Sequence, residues 1–434
     1  MMKDHPHTLA TFFVAGLLFA GVAGLGGFAT GCIHARVDTR TMHTFERVQL
    51  SDVFYAEGAG IGDLNRDGTP DVVAGPFWYE GPEFEQRREI YPPKPFDPLQ
   101  YSDNFVVDVH DFNRDGWEDV LIVGFPGEQA FWYANPAGGD GHWERHLAFD
   151  GVDNESPFVG DLTGDGLPEL VFHHEGYVGY AVADEGNPTA PWIFHRISEK
   201  GDRGPFTHGF GIGDVTGNDH PDILMSTGWW ENPGPDRADG TLWQHHPADF
   251  GERGAQMYAY DVDGDGDNDV ISSLDAHGWG VAWFEQTRSA GEIDFDRHLI
   301  IGEDVDDNPY GVRFSQPHAI ALVDIDRDGR MDIVTGKRYW AHGPDGDPEP
   351  NAPAVLYWFR LVRSADGDVS FVPHLIDDDS GVGVFLVVND LTGDGYPDVA
   401  MGNKKGAFVF RQQVREVNLD EWEAAQPRLA PGAD

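Results

Sequence analysis

The sequence predicts an all-β protein: a seven-bladed β-propeller of four-stranded blades, with the ring closed by an N-terminal strand. Three observations carry this expectation. An acidic nine-residue loop recurs seven times, short aromatic and β-branched runs follow each copy, and a strand like the last of each unit precedes the first unit.

The copies read DLNRDGTPD from Asp63, DFNRDGWED from Asp111, DLTGDGLPE from Asp161, DVTGNDHPD from Asp214, DVDGDGDND from Asp261, DIDRDGRMD from Asp324 and DLTGDGYPD from Asp390. Their first aspartates are spaced by 48, 50, 53, 47, 63 and 66 residues. A period near 50 marks one supersecondary unit per repeat, which must bury its faces against its neighbours.

The second unit shows the pattern most plainly. FVVDV from Phe105 precedes the loop, and DVLIV, AFWYA and WERHLAF follow it. These runs are β-prone and punctuated by Gly, Pro and Asn. Fourth strands recur as FEQRREI, WERHLAF, WIFHRIS, LWQHHPA, FDRHLII and FVPHLID. The last unit has no evident fourth strand, so Phe45–Leu50 is expected to supply it and staple the ends together. The tail beyond Arg411 reads as a short surface helix. The expected divisions are an export or lipoprotein signal over 1–32, a linker over 33–43, the propeller over 44–410 and a tail over 411–434.

Leu9 to Gly31 is almost wholly apolar and small. It reads as an export signal and is long enough for an anchor. Cys32, the single cysteine, follows it in FATGC, which resembles a lipoprotein cleavage box with Ala29 where Leu is usual. Lipidation at Cys32, ordinary cleavage and a retained anchor all stay open. The expected location is exported: periplasmic, outer-membrane lipoprotein or cell surface, with membrane attachment through the N-terminus only. One cysteine allows no internal disulfide.

The formal net charge is −46, from 75 acidic and 29 basic residues. Such a surface repels nucleic acid, and no nucleic-acid motif is present. A closed ring of this kind is expected to act as a monomer. Twenty-five of the acids lie inside the seven loops.

The loop spacing places oxygen ligands at positions 1, 3, 5 and 9 around a hard cation, with a turn-permitting glycine at 6. The expected structural Ca2+ ligands are Asp63, Asn65, Asp67 and Asp71; Asp111, Asn113, Asp115 and Asp119; Asp161 and Asp165; Asp214, Asn218 and Asp222; Asp261, Asp263, Asp265 and Asp269; Asp324, Asp326, Asp328 and Asp332; and Asp390, Asp394 and Asp398. Thr163, Thr216 and Thr392 weaken three loops, and Asp219 replaces glycine in the fourth. The fifth and sixth loops rank highest. The alternative is that the aspartates only cap a tight turn.

The loops join first and second strands, so they share one face. The opposite face gathers the connections before the first strands and after the second. Asp103, Glu155, His208, Gln256, Tyr258 and His318 fall before first strands. His173, His174, Trp229, Trp230, His277, Lys337, Arg338, Tyr339, Lys404 and Lys405 fall after second strands. A cationic, aromatic mouth on an acidic protein points to a carbohydrate or small anionic ligand. His208, Tyr258, His277, His318, Lys337 and Arg338 are the candidate catalytic residues, for acid–base and charge-stabilising work. A catalytic metal on two or three of the histidines stays open, its identity unknown. His146, His195, His246, His298 and His374 recur in fourth strands and read as scaffold. No nucleotide-cofactor motif is present.

The repeats, such as VGDLTGDGLPELVF, resemble the FG-GAP or VCBS repeats of integrin-like propellers. Three longer stretches, FTHGFGIGDVTGNDHPDILMSTGWWENP, QMYAYDVDGDGDNDVISSLDAHGWGVAWFEQ and FSQPHAIALVDIDRDGRMDIVTGKRYWAHGP, resemble the propeller domain of fungal aldos-2-ulose dehydratase and its bacterial relatives. That resemblance, over roughly 45–410, implies carbon–oxygen lyase chemistry: dehydration of a keto sugar, or β-elimination on a uronate-containing glycan. It implies no isomerase activity, because the accompanying cupin-like domains are missing from this sequence. The competing expectation is a non-catalytic surface propeller that binds glycan or protein.

Overall fold

The computed structural model describes residues 39–234 and 240–432. The export segment, Cys32 and the proposed signal therefore lie outside the described residues. Among those described, no helix is long and apolar enough to cross a membrane.

The chain opens with β1 (Thr39–Ser51). A first sheet follows from β2 (Gly60–Gly62), β3 (Asp71–Ala74), β4 (Phe77–Tyr79) and β5 (Arg87–Glu89). The next comprises β6 (Val106–His110), β7 (Asp119–Val123), β8 (Ala130–Ala134) and β9 (Glu144–Phe149). The third comprises β10 (Asp153–Gly160), β11 (Glu169–His174), β12 (Tyr177–Val182) and β13 (Ile193–Arg196). Then come β14 (Phe210–Gly213), β15 (Asp222–Met225), β16 (Gly228–Glu231) and β17 (Gln244–Pro247). They are followed by β18 (Gln256–Tyr260), β19 (Asp269–Ser273), β20 (Val281–Ser289) and β21 (Glu292–Ile301). A further sheet holds β22 (Ile320–Val323), β23 (Asp332–Gly336), β24 (Leu356–Arg363) and β25 (Val369–Asp377). The last holds β26 (Leu386–Asn389), β27 (Asp398–Asn403) and β28 (Gly406–Asn418), with β1 pairing antiparallel to β28 on its outer edge. The helix α1 (Leu419–Ala425) follows.

The expectation of a seven-bladed propeller of four-stranded blades is corrected by this pairing. Five four-stranded sheets form, and the remaining strands make one eight-stranded sheet in the order β17-β16-β15-β14-β18-β19-β20-β21. The join is a parallel pairing of Phe210, Gly211 and Ile212 with Gln256, Met257 and Tyr258. Glycine makes it possible: a Cβ on Gly211 would lie 1.9 Å from the Met257 carbonyl oxygen. The first strands β2, β6, β10, β14, β18, β22 and β26 touch in that order, and β26 returns to β2. The result is an all-β propeller around a central axis. Its outermost strands also run past the expected limits, with β1 starting at Thr39 and β28 reaching Asn418.

Adjacent sheets bury apolar faces between them. Leu121 and Trp132 of one pack with Leu170 and Phe172 of the next, for example. Buried amides add cross-sheet bolts. Asn135 donates to the Leu64 carbonyl (2.9 Å), Gln286 to Val215 (3.1 Å) and Gln412 to Ile325 (3.0 Å).

The ninth-position acids instead tie each loop to its own sheet. Asp71 accepts from the backbone N–H of Leu64 and Gly81, both at 3.0 Å, and Asp332 accepts from Ile325 and Leu361. Burial, partly offset by these hydrogen bonds, pushes the Asp71 carboxyl up to about 7. The first-position carboxylates cap the turn, as where Asp63 accepts from Asp67 and Gly68 at 3.0 Å.

The recurring fourth-strand histidines stack on third-strand rings: His146 on Trp132 (4.5 Å), His246 on Trp229 (4.7 Å), His298 on Trp283 (4.3 Å) and His374 on Trp358 (4.4 Å). Each stack is worth on the order of 1 kcal/mol beyond its buried area. His146→Ala is therefore expected to lower the melting temperature by a few degrees. The same thermal scan on wild type checks it.

Candidate metal centre in the propeller channel

Several connections between strands meet on the axis. Asn154 takes φ 94°, and the ladder between β10 and β11 shifts register between Asp153 and Phe158. This irregular start lets Asn154 and Glu155 donate backbone N–H bonds to the carbonyls of Pro205 and Thr207, at 2.9 and 3.0 Å. Glu155 thereby lies beside His208, the residue two before β14. His277 sits in the turn between β19 and β20, where its N–H donates to Asp275 Oδ1 (3.0 Å). Gln316, at φ 61°, donates its N–H to the Gly278 carbonyl, while its own carbonyl accepts from His318 and Arg338. One residue thus ties the segments of His277, His318 and Arg338 together.

The side chains converge. His208 Nε2 lies 2.8 Å from His277 Nε2 and 3.3 Å from Glu155 Oε2. His318 Nε2 lies 3.3 Å, and His277 Nε2 3.7 Å, from that same carboxylate oxygen. All four residues are buried, and their ligand atoms fall within 4.8 Å of one another. Two ligands of a tetrahedral ion with bonds of about 2.0–2.1 Å stand roughly 3.3 Å apart, and the observed separations scatter around that value. The outer contacts agree: His208 Nδ1 faces the Phe206 carbonyl at 2.9 Å. A carbonyl only accepts, so Nδ1 carries the proton and Nε2 presents its lone pair inward. These residues fit a divalent transition metal of zinc type.

The surroundings act on each member differently: burial lowers the His277 imidazole, but Asp347 and Glu155 outweigh burial and leave it above its ordinary value. Burial alone would raise the Glu155 carboxyl, but the imidazoles of His208, His277 and His318 around it outweigh burial and hold it well below the usual range. Burial and the Arg338 charge push the His318 imidazole well below its ordinary value, into the neutral ligand form. Arg338 is buried, bonded to Glu57 at 2.9 Å and 3.9 Å from Glu155. Burial opposes its charge, yet Glu57 and Glu155 raise its pKa.

A cavity of about 390 Å³ opens above this set. Tyr101, Phe105, Phe125 and Phe206 form its aromatic wall, and Glu155, His208, His277 and Arg338 its floor, with Arg253 and His342 also lining it. Phe206 is 54% exposed, and its ring meets Phe125 at 5.6 Å. A larger groove of about 790 Å³ lies on the rim between β1 and β25. It lacks a comparable convergence of buried ligand atoms.

The structure brings together four of the six residues expected from sequence: His208, His277, His318 and Arg338. The three histidines, expected as acid–base groups with a metal on them left open, lie close enough together with Glu155 to hold one ion. Tyr258 stands apart. Its hydroxyl donates to the Ile320 carbonyl (2.9 Å), and burial raises its pKa far from any base role. Lys337 also stands apart: it is buried and donates to Ser315 Oγ (2.8 Å) instead of lining the cavity. Glu57, His342 and Asp347 carry no sequence signal of their own, except that the last two lie within the longest interval between loops, 66 residues.

The fifth and sixth loops both gather carboxylates: in the sixth, oxygens of Asp324, Asp326 and Asp332 lie within 4.8 Å of one another. In the sixth loop Arg360 binds Asp326 (2.6 Å) and Asp328 (3.3 Å), and Arg330 also pairs with Asp328. In the fifth, Asp261, Asp263 and Asp265 bring carboxylate oxygens within 4.8 Å of one another.

Residues 111–172 match the FG-GAP-like repeat family. No curated protein is detectably similar to the chain. A solved structure from Agrocybe aegerita, of a lectin described for specific recognition of non-reducing terminal N-acetylglucosamine, is 18% identical, covering 87% of this chain and 86% of its own, with TM-score 0.45. The Tc holotoxin pore of Photorhabdus luminescens is 14% identical, covering 74% of this chain and 14% of its own, with TM-score 0.36. The family match supports the FG-GAP-like repeat. None of these findings supports the dehydratase resemblance.

Proposed function

We propose that the chain is an exported, metal-dependent carbon–oxygen lyase that eliminates a β-oxygen substituent from a keto sugar or a uronate-containing glycan. The observation that carries this reading is the convergence of three imidazoles and Glu155 on the floor of an aromatic-walled cavity. A divalent ion held there would supply Lewis-acid polarisation of a substrate oxygen.

The chain's own residues supply the rest. Tyr101, Phe125 and Phe206 offer flat apolar surface for a sugar ring. Arg338 and Arg253 set positive charge near an oxygen that becomes negative. Proton transfer falls to His342, the lining imidazole outside the ligand set. Its Nδ1 lies 2.7 Å from Asp347 Oδ1, which leaves Nε2 free to accept. The carbon acid α to the carbonyl loses its proton to that nitrogen, the carbon–carbon double bond forms, and the β carbon–oxygen bond breaks. The departing oxygen is then protonated from His342 or water. The three stretches that carry the sequence resemblance also contribute His208, His277, His318 and Arg338, which favours sugar chemistry. The acidic loops are proposed to hold calcium structurally, the fifth and sixth first among them.

Metal-loaded protein mixed with keto sugars and uronate-containing glycans is expected to generate ultraviolet absorbance from the new conjugated double bond, and chelation to abolish it. Glycan binding without absorbance across the panel would replace this reading with that of a non-catalytic module.

A further inference from the structure

We propose that Asp347 is a positioning residue that fixes His277 as a metal ligand, and that the insertion between β23 and β24 exists to deliver it. This inference rests on the ion-binding reading above. His277 Nδ1 is buried, has no hydrogen-bond partner, and lies 3.6 Å from Asp347 Oδ1. The other ring nitrogen of His277 points into the ligand set. An imidazole that binds an ion through Nε2 carries its proton on Nδ1, and a carboxylate is the usual group that orients it. Asp347 is the carboxylate within reach on that side.

The insertion is built to hold it there. His342 grips Asp347 twice, by its backbone N–H (3.0 Å) and by Nδ1 (2.7 Å). The His342 ring also lies against the His277 ring, with centroids 4.5 Å apart at 32°. His277 is thus met on its face and on its Nδ1 edge by the same loop. Two buried lysines anchor that loop from below. Lys404 donates to the carbonyls of Trp340 (2.9 Å) and Ala341 (3.3 Å). Lys337 donates to Ser315, whose hydroxyl donates in turn to the Pro348 carbonyl (2.6 Å). Such outlay of buried cations on loop carbonyls is explained if the loop's tip must be placed to within a fraction of an ångström.

The test is titration of the full chain with Co2+, followed by its visible spectrum, with Zn2+ affinity from chelator competition. Asp347→Asn is expected to keep the stoichiometry of one ion at this site, weaken affinity by about 10–100-fold and alter the Co2+ spectrum. Asp347→Glu is expected to recover part of the loss. Melting of the chelator-treated variant should match that of chelator-treated wild type, which a merely structural role would not allow. Wild-type affinity and an unchanged spectrum in Asp347→Asn would overturn the inference and leave the metal centre standing. A wild type that takes up no Co2+ in the channel would overturn both.

Discussion

His318→Ala is expected to weaken Co2+ binding by about a hundred- to a thousand-fold and to abolish the proposed elimination activity. A site of this kind binds its ion with roughly 10–16 kcal/mol, which shared among four ligands is about 2.5–4 kcal/mol each. His318 is fully buried, and its Nε2 faces Glu155 at 3.3 Å. The rival account is a buried hydrogen-bond network, in which His208 and His277 share a proton at 2.8 Å and Glu155 neutralises them. The two accounts separate on metal. In a network, substitution destabilises the chelator-treated protein and Co2+ has no effect on either form. In a metal centre, Co2+ raises the melting temperature of wild type, and the gain is lost in His318→Ala. Wild-type Co2+ affinity in that variant would remove His318 from the ligand set.

How far the site can be read from sequence depends on what kind of fact each residue represents. His208, His277 and His318 stand out because they break the repeat: they occupy connections where other units carry different residues, unlike the stacking histidines of the fourth strands. Their shared face follows from the position of the acidic loops. Their role does not, since whether imidazoles 69 and 41 residues apart point at one another depends on the ring closing. Tyr258 and Lys337 have the right address and the wrong orientation, and a one-residue difference along a strand is enough for that. Glu155 reaches the site only through a register irregularity, which no pattern of hydrophobicity announces. The fusion of two units into one eight-stranded sheet is equally hidden. It depends on how closely the Met257 backbone approaches Gly211, and glycines occur in first strands throughout the repeats. The acidic loops are legible as loops, whereas the pairing of Arg360 with Asp326 in the sixth is a tertiary fact.

Arg338→Met is expected to destabilise the fold by about 3–5 kcal/mol, the usual cost of stranding one partner of a buried ion pair. Arg338 and Glu57 are 1% exposed each and meet at 2.9 Å. Glu57 comes from the segment before β2 and Arg338 from the end of β23, so the pair spans the ring between sheets distant in sequence. The two single substitutions are not equivalent. Removing Arg338 leaves Glu57 unpaired and takes away the nearest cation from Glu155, which lies 3.9 Å from the guanidinium. Glu57→Gln leaves Arg338 with that second carboxylate and is expected to cost less. Glu57 also fixes backbone, its carbonyl accepting from Val384 (2.7 Å), and a side-chain substitution leaves that bond in place. The double variant Arg338→Met with Glu57→Gln removes both charges and is expected to recover much of the Arg338→Met loss, giving a coupling of a few kcal/mol in a double-mutant cycle. Chemical denaturation of the four proteins measures it. Additive losses would mean that the pair does not act as a pair, and that Arg338 owes its position to Glu155 and the channel floor alone.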